Sequence, residues 1–243
     1  MEFSIRRVNA LFKKEIKDFG KNMNVFIMCL FPIMICALYS KILGDKFSND
    51  VMVNTNILTL ALGTNLVMVG SYVIAMLIAE EKEKNTLRTL MLSAVSPWEF
   101  LAGKALITLL VTGIINVILF FMIGMDIQYL GKYMLLSTLV VLSMIEIGAI
   151  IGILSPNQMA TGVVSMPALI IFYILPLVAK INKTIGRISE LLPNYNMNIM
   201  LEKVFKGETI GVESTYNICI ILVWILIGAV LFMYAYNKKG LDK

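Results

Sequence analysis

Histidine is absent from this sequence of 243 residues, and only 15% of the residues carry a charge. Without histidine, the chain lacks the usual general base at neutral pH and the commonest metal ligand in proteins. The apolar segments also contain no Gly-x-Ser-x-Gly motif and no pair of acids, so the sequence does not favour an intramembrane hydrolase. A phosphate-binding loop is missing as well, because Gly103-Lys104 has neither the earlier glycine nor the following hydroxyl of that motif. We therefore expect neither ATP hydrolysis through such a loop nor a cofactor or metal bound by this chain.

Cysteine is scarce, with two residues in the first apolar segment and one in the last. Cys29, Cys36 and Cys219 lie at depths that oxidants and metal ions rarely reach, so we interpret them as small apolar fillers. The net charge of +5 comes from basic residues that are scattered and not interleaved with aromatic residues. That pattern favours contact with anionic lipid over binding of nucleic acid.

Hydrophobic residues are abundant, at 58% of the chain with a mean hydropathy of +0.83. A helix needs roughly 20 apolar residues to cross the hydrocarbon core of a bilayer. Six segments have this character, and they are continuously apolar rather than alternating as barrel strands are. We predict an all-α polytopic membrane protein with six transmembrane helices, near Val25–Leu43, Ile57–Ala79, Ala102–Ile123, Met134–Leu154, Gly162–Ala179 and Tyr216–Tyr236.

Two regions outside these spans also have helical patterns. Residues 1–22 place apolar side chains near one face and basic side chains largely elsewhere, which predicts an amphipathic interface helix ahead of a six-span domain at 23–243. The external segment, residues 180–215, contains a second amphipathic pattern between Pro193 and Gly207. This pattern predicts a short external helix before the last span.

The distribution of lysine and arginine predicts the orientation of the spans. Most of the 21 Lys and Arg residues lie before the first span, between the second and third spans, or after the last span. Because positive charge concentrates on the cytoplasmic side of membrane proteins, we expect both termini of this multi-pass cell-membrane protein in the cytoplasm.

The loop between the second and third spans, residues 80–98, begins with a charged helix end. Glu80 to Lys84 continue the second helix into water, and Asn85-Thr86 supplies turn or N-cap chemistry. Beyond the turn, apolar residues recur at helical spacing along one side of a short segment, at Leu87, Leu90, Met91 and Ala94. We call these four residues the apolar ridge.

The loop ends with Ser96-Pro97-Trp98-Glu99, which has the pattern of a capping box with proline at the first helical position. The apolar ridge is therefore expected to be held rigidly between two helix ends. Because the ridge is flanked by charges of both signs, it favours a groove on a partner protein over an anionic lipid surface.

These residues resemble the hallmark of the ABC-2 type transporter permeases, the membrane subunits of bacterial ATP-driven exporters. In that family an acidic-basic cluster is followed by Thr-Leu, a leucine-rich turn, Ser-Pro and Gly-Lys. The corresponding residues here are Glu81-Lys82-Glu83-Lys84-Asn85-Thr86-Leu87, Leu90-Met91-Leu92-Ser93, Val95-Ser96-Pro97 and Gly103-Lys104. Asn85 stands where the family usually has glycine, and asparagine tolerates the left-handed conformation that glycine would adopt. Arg88 stands where the family usually has an acid, which changes the contact offered to a partner.

The resemblance implies a division of labour between subunits. This chain would form the translocation path, and a separate ABC ATPase subunit in two copies would bind ATP and Mg. A second permease copy, in a homodimer or a related heterodimer, would complete the path. The residues implied in coupling to the ATPase are Glu81, Glu83, Thr86, Leu87, Arg88, Leu90 and Met91. The implied cargo is an amphipathic peptide or drug, with lipid or polysaccharide export as an alternative.

Polar residues inside the spans are costly in hydrocarbon and so mark candidate positions on a path. Glu146 is the ionisable residue at mid-depth of the fourth span, beside the small residues Ser143, Gly148 and Ala149, which would let another helix approach closely. A protonated, hydrogen-bonded structural role and contact with a cationic substrate are both open for it. Asn65 and Asn116 are further candidates for the path, with interhelical hydrogen bonding as the alternative.

A carrier or channel that works without an ATPase is the rival functional class. Such a protein is expected to have paired intramembrane charges, broken helices and an internal repeat. The sequence contains one lone intramembrane acid and no convincing repeat, so it favours the permease.

Overall fold

A computed structural model of the chain describes residues 3–47, 51–86, 89, 95–208 and 211–239. These residues form helices joined by short turns, with no strand among them, which confirms the all-α prediction. The α-helices are α1 (Ile5–Phe19), α2 (Met23–Phe47), α3 (Val51–Asn65), α4 (Ile74–Glu83), α5 (Pro97–Met122), α6 (Leu130–Leu154), α7 (Thr161–Leu169), α8 (Leu175–Val178), α9 (Lys183–Ser189), α10 (Pro193–Phe205) and α11 (Thr215–Lys239).

Six helical stretches in the described ranges are long and apolar enough to cross a membrane, which confirms the predicted number of spans. They are Met23–Ile42, Met52–Glu83, Pro97–Met122, Ile127–Leu154, Thr161–Val178 and Thr215–Lys238, and we refer to them as the first to sixth spans. The second span is longer than its apolar core suggests, because polar residues near its start are also helical.

Two spans contain a segment of π-helix. The second span is π-helical at Leu66–Val73, between α3 and α4, and the fifth is π-helical at Ile170–Ile174, between α7 and α8. Pro167 and Pro176 flank the π segment of the fifth span. Proline removes a backbone donor and disturbs regular helical bonding, so the irregular bonding of this segment has a local cause. π-helical turns are rare and occur frequently at functional sites.

The second span lies at the centre of the bundle. In its most apolar window 89% of the residues are buried, compared with 22% in the first span and 17% in the fifth. It packs against the fourth span, where Gly148 and Gly152 allow the backbones to approach closely. A Cβ atom on Gly148 would lie 2.1 Å from the carbonyl oxygen of Ser71. This contact confirms that small residues in the fourth span accommodate a neighbouring helix.

The short helix predicted before the last span forms as α10. It contacts the fourth and sixth spans, and its buried face includes Met200, Val204 and Phe205. Asn194 donates a hydrogen bond of 2.8 Å to the carbonyl oxygen of Phe172, in the π segment of the fifth span. The helix also contacts the second span, so it ties four spans together at the end of the bundle opposite α1.

The amphipathic helix α1 packs across the third span. Its buried side chains are Val8, Leu11 and Glu15, whereas Ile5 is 79% exposed. A Cβ atom on Gly103 would lie 2.7 Å from the Cβ atom of Leu11, so glycine is what allows this close approach. The face that contacts protein is thus narrower than the apolar face read from the sequence, and the remaining apolar residues are available to lipid.

Candidate functional site

The turn that follows α4 begins the predicted coupling loop. Asn85 has a φ of 58°, in the left-handed region, which confirms the conformation expected where the family usually has glycine. The Thr86 hydroxyl donates a hydrogen bond of 3.0 Å to the carbonyl oxygen of Glu81, and it also contacts the carboxylate of Glu81. These contacts fold the chain back against the end of the second span.

Glu81 differs from its expected place in water, since only 6% of its surface is exposed. Lys14 of α1 donates to its carboxylate, and Lys104 of the third span lies 3.4 Å from the same oxygen. The burial arises because α1 covers the last turn of α4, a contact that the local sequence of residues 80–98 does not reveal. Glu81 thus joins three parts of the chain rather than presenting a free charge.

Lys104 is the most deeply buried cation of this region, with 2% of its surface exposed. Its Nζ atom lies 2.7 Å from Glu15 Oε1 and 3.1 Å from the carbonyl oxygen of Leu77. Two acids and two lysines are therefore linked in a row of ion pairs, in the order Lys14, Glu81, Lys104 and Glu15. A buried charge is tolerated when it is paired and hydrogen-bonded, and each member of this set meets that condition. We call these four residues the ionic joint.

Glu99 holds a second junction between α1 and the third span. The Ser96 side chain accepts from the Glu99 backbone at 3.2 Å, and Glu99 Oε2 accepts from the Ser96 backbone at 2.9 Å, so the predicted capping box is confirmed. The same carboxylate accepts from the backbone of Ser4 at 2.6 Å and from the guanidinium of Arg7 at 2.8 Å. The hydrogen bond to Glu99 raises the pKa of Arg7 above its ordinary value. One buried acid therefore caps the third span and anchors the start of α1.

Charged residues at the end of α4 pair with each other or with the chain at the end of the fourth span. Lys84 pairs with Glu80, and this hydrogen bond raises the pKa of Lys84. The carboxylate of Glu83 accepts a hydrogen bond of 3.1 Å from the backbone of Gln158, which follows the fourth span. Lys82 donates to the carbonyl oxygen of Ile153 at 2.9 Å. These contacts hold α4 against the end of the fourth span.

The centre of the predicted coupling loop lies outside the described residues. Leu87, Arg88, Leu90 and Met91 belong to that part of the chain, so their assignment to ATPase coupling stays a prediction. The structure does describe Glu81, Glu83 and Thr86 on one side of the ridge and the Ser96 cap on the other. Both attachment points of the ridge are therefore anchored to the bundle.

Asn65 and Asn116, predicted as path residues, lie together in the buried interior. The side-chain amide of Asn65 donates a hydrogen bond of 2.7 Å to Asn116 Oδ1 and one of 3.1 Å to the carbonyl oxygen of Thr112. The Tyr133 hydroxyl of the fourth span donates a hydrogen bond of 3.3 Å to the carbonyl oxygen of Asn116. This arrangement bridges the second, third and fourth spans directly beside the first π segment, and interhelical bridging is the role that the geometry supports.

Glu146 lies on a different face of the fourth span from the glycines that contact the second span. A Cβ atom on Gly228 of the sixth span would lie 2.4 Å from Glu146 Oε2, so the acid occupies the space that this glycine leaves. Oε2 is buried and has no hydrogen-bond partner within the described ranges. The structure therefore places Glu146 between the fourth and sixth spans, away from Asn65 and Asn116.

Sequence reasoning did not predict the pairing of Glu15 with Lys104, or the contacts of Glu99 with α1. Glu15 was part of an amphipathic helix, Glu99 a capping residue, and Lys104 part of a family motif. A signal for the pairing existed, because an acid at position 15 follows the apolar residue Leu11 by one helical turn. The partner of that acid is distant in the sequence and becomes visible only in the packed helices.

The chain has the architecture of a polytopic membrane protein with little mass outside the bilayer. It consists of six spans, a helix that lies across their ends, and loops that buried charges anchor. The family described as ABC-2 family transporter protein matches residues 44–230, most of the chain, and the chain belongs to that family. It is therefore the permease component of an ABC transporter, and such permeases work with an ABC ATPase. A search of curated proteins found no match. The matched region begins after α1, so Lys14 and Glu15 are contributed from outside it.

Proposed function

We propose that this chain is the permease subunit of an exporter in a bacterial cell membrane. It forms the translocation path for an amphipathic substrate and receives the work of ATP hydrolysis through residues 80–98. Both termini and this loop lie in the cytoplasm in the proposal. The orientation is supported by the excess of lysine and arginine in these segments.

The proposed complex contains two ATPase subunits, which bind ATP and Mg, and a second permease that is either the same chain or a related one. The weak burial of the first, fifth and sixth spans supports a further membrane subunit, because each of these spans retains an apolar face that the described residues do not cover. A peptide or drug is the proposed cargo. The support is the apolar interior and the absence of sizeable extramembrane segments in this sequence.

The ionic joint is the observation that carries the proposal. Lys104 connects the third span to Glu15 of α1 and to Glu81 at the base of the loop, with side-chain exposures of 3%, 4% and 8%. Breaking a buried charge pair by removing one partner costs about 3–5 kcal/mol, so the three elements are expected to move as a unit. A force applied to the apolar ridge would then be transmitted to the third span and α1 together.

Aspartate substitutions in the ridge test this proposal. Leu87→Asp or Leu90→Asp places an unpaired charge in the proposed ATPase groove, which costs on the order of several kcal/mol and weakens an interface of this size by orders of magnitude. We expect normal insertion, because the loop lies outside the hydrocarbon, together with loss of ATPase retention and transport. Co-purification with the ATPase and transport by reconstituted vesicles are the measurements.

Thr89→Asp is the matched control, because it adds the same charge to the loop at an exposed residue off the ridge. It should retain the ATPase far better than Leu90→Asp does. If both ridge variants bind the ATPase and export at the wild-type rate, the ridge is a turn that rests on lipid and the proposed coupling role is wrong.

A further inference from the structure

An apolar cavity of about 240 Å³ lies between the first, second and fifth spans. Its walls include Met28 and Phe31 of the first span, Val67 and Met68 of the second, and Met166 and Leu169 of the fifth. A cavity of 150 Å³ in a protein core is large enough to hold benzene, so this one accommodates a larger apolar group. Three methionines line it, and their flexible side chains adapt to ligands of different shape.

Backbone irregularity surrounds this cavity. Val67, Met68 and Tyr72 on its wall belong to the π segment of the second span, and Leu169 immediately precedes the π segment of the fifth. Phe31 and Met166 are 41% and 56% exposed, so the cavity is open at the surface of the spans rather than sealed in the core. Both walls are thus built from helices whose bonding departs from the regular α pattern, next to an opening.

One polar group in the wall lacks a partner. Ser165 is 8% exposed, and its Oγ atom has no hydrogen-bond partner among the residues that the structure describes. A helical serine or threonine commonly bonds to the carbonyl four residues earlier, as Thr108 does to Lys104 at 3.0 Å. Leaving a buried hydroxyl unsatisfied is costly, so Ser165 is suited to bind a polar atom of a ligand.

A second cavity of about 190 Å³ adjoins the first on the α1 side of the bundle. Met28 and Tyr72 line both cavities and so form the partition between them. The second cavity is more polar, since Asn24 and Gln158 line it, and the Nε2 atom of Gln158 is buried without a partner in the described part of the chain. We call it the outer chamber, because it lies nearer the α1 end of the bundle, and we call the apolar cavity the inner chamber.

We propose that the two chambers form a binding site within one permease subunit for an amphipathic molecule that has an uncharged, hydrogen-bonding polar end. The apolar body occupies the inner chamber beside the Ser165 hydroxyl, and the polar end occupies the outer chamber beside Gln158. No charged residue lines the outer chamber itself among those described, so an amide or hydroxyl fits it better than an ion. Asp18, Lys21, Glu80 and Lys84 line an adjoining cavity beyond Asn24 and Gln158. This inference rests on the proposed export function, because it assigns the site to the cargo.

A lipid acyl chain is the competing occupant, and the chemistry of the walls argues against it. An acyl chain fills apolar volume but offers no partner to the Ser165 hydroxyl or to the Gln158 amide. A cargo molecule with its own donor and acceptor atoms satisfies both groups. The two unpartnered polar atoms at successive depths therefore favour an amphipathic ligand over a hydrocarbon chain.

Photolabelling of the full-length permease in lipid nanodiscs tests the site. The first probe is an octanol that carries a diazirine, and the second is a phosphatidylcholine with a diazirine on its acyl chain. We expect the octanol probe to label Met28, Met68 or Met166 in a saturable way, mapped by mass spectrometry. The lipid probe should label exposed residues such as Val163 instead, without protecting the chamber residues from the octanol probe.

Two substitutions at Ser165 sharpen the test. Ser165→Ala removes only the hydroxyl, and loss of one hydrogen bond should raise the half-saturating octanol concentration about 2- to 10-fold. Ser165→Phe fills the inner chamber and should abolish saturable labelling. Ser143→Ala is the control for the first, because the Ser143 hydroxyl is also buried without a described partner but lies outside the chambers, and Val163→Phe is the control for the second.

Three results would overturn the proposal: labelling by octanol that spreads over all spans without saturation, equal labelling of the chamber residues by the lipid probe, or an unchanged half-saturation in Ser165→Ala. The measurement needs no ATPase, so it is independent of the proposed coupling. If the wild-type permease binds the ATPase but shows no saturable labelling, the site alone is refuted. The ridge variant Leu90→Asp should retain normal labelling, because the ridge lies outside the chambers.

Discussion

Lys104 Nζ lies 2.7 Å from Glu15 Oε1, and both side chains are at most 4% exposed. This contact joins the third span to a helix that precedes the first span, so it is formed between distant parts of the sequence. The adjacent residue, Gly103, accommodates Leu11 of the same helix. The Gly-Lys pair therefore has a physical explanation here, since the glycine provides space for α1 and the lysine binds it.

Removal of the Lys104 charge should destabilise the protein. Lys104→Met leaves Glu15 buried without its closest partner and weakens the surroundings of Glu81, and the expected loss in the free energy of unfolding is about 3–5 kcal/mol. Unfolding in mixed micelles measures this loss. Lys180→Met is the control, because the Lys180 side chain is 77% exposed in its pair with Glu202, where the effect should be below about 1 kcal/mol. Equal stability of the two variants would show that the ionic joint is not structural.

A methyl group at position 103 should displace α1. In Gly103→Ala the new Cβ atom would lie 2.7 Å from Leu11 Cβ, and neither atom is the end of a flexible chain. We expect a loss of about 1–3 kcal/mol from overpacking and faster proteolysis near Lys13 and Lys17. Gly113→Ala lies on the same span with nothing within 4 Å of its Cβ atom and should behave as wild type. Identical proteolysis of both variants would contradict the close packing of α1.

The pair formed by Glu146 and Gly228 separates the two roles that the sequence left open for this acid. If Glu146 is structural, Gly228→Ala should lower the free energy of unfolding, and Glu146→Ala should relieve part of that loss, with a coupling energy of about 0.5–3 kcal/mol. Glu146→Gln, which keeps the shape, should then leave the ATPase activity per complex unchanged. A Glu146→Gln complex that forms in normal yield but responds differently to cationic compounds would instead support contact with substrate.

Cysteine labelling checks the proposed orientation. In a background where Cys29, Cys36 and Cys219 are replaced by alanine, cysteines at Lys17 and Arg88 should react only from the cytoplasm, and one at Asn49 only from outside. The replacement is needed because Cys219 is exposed on the sixth span, although Cys29 and Cys36 are buried as apolar fillers. Reaction of the residue 88 cysteine with an impermeant reagent in intact cells would reverse the topology.

The spans were predictable because a bilayer requires long apolar helices and leaves few other solutions. The left-handed turn at Asn85 and the Ser96 to Glu99 cap were also predictable, since both depend on residues that are close in the sequence. In these cases the interactions that determine the structure are made between residues near one another in the sequence.

The π segments and the ionic joint were not predictable in the same way. Leu66–Val73 has the same apolar composition as an ordinary membrane helix, and its bonding is revealed only by the backbone. The burial of Glu81 depends on α1, which is far from it in the chain. Charged residues were expected in water because the sequence does not show which other element covers them.

The close packing of the second and fourth spans has a consequence for biogenesis. The backbone of Ser71 contacts Gly148, and the chain between them includes an entire further span. During synthesis the second span is therefore completed well before its main protein neighbour exists. Until then, lipid or the insertion machinery has to surround a helix that is 89% buried in its most apolar window in the finished bundle. Assembly therefore includes an exchange of lipid for protein around the second span once the fourth span is made, and variants that weaken the glycine contact should accumulate as inserted but unassembled chains.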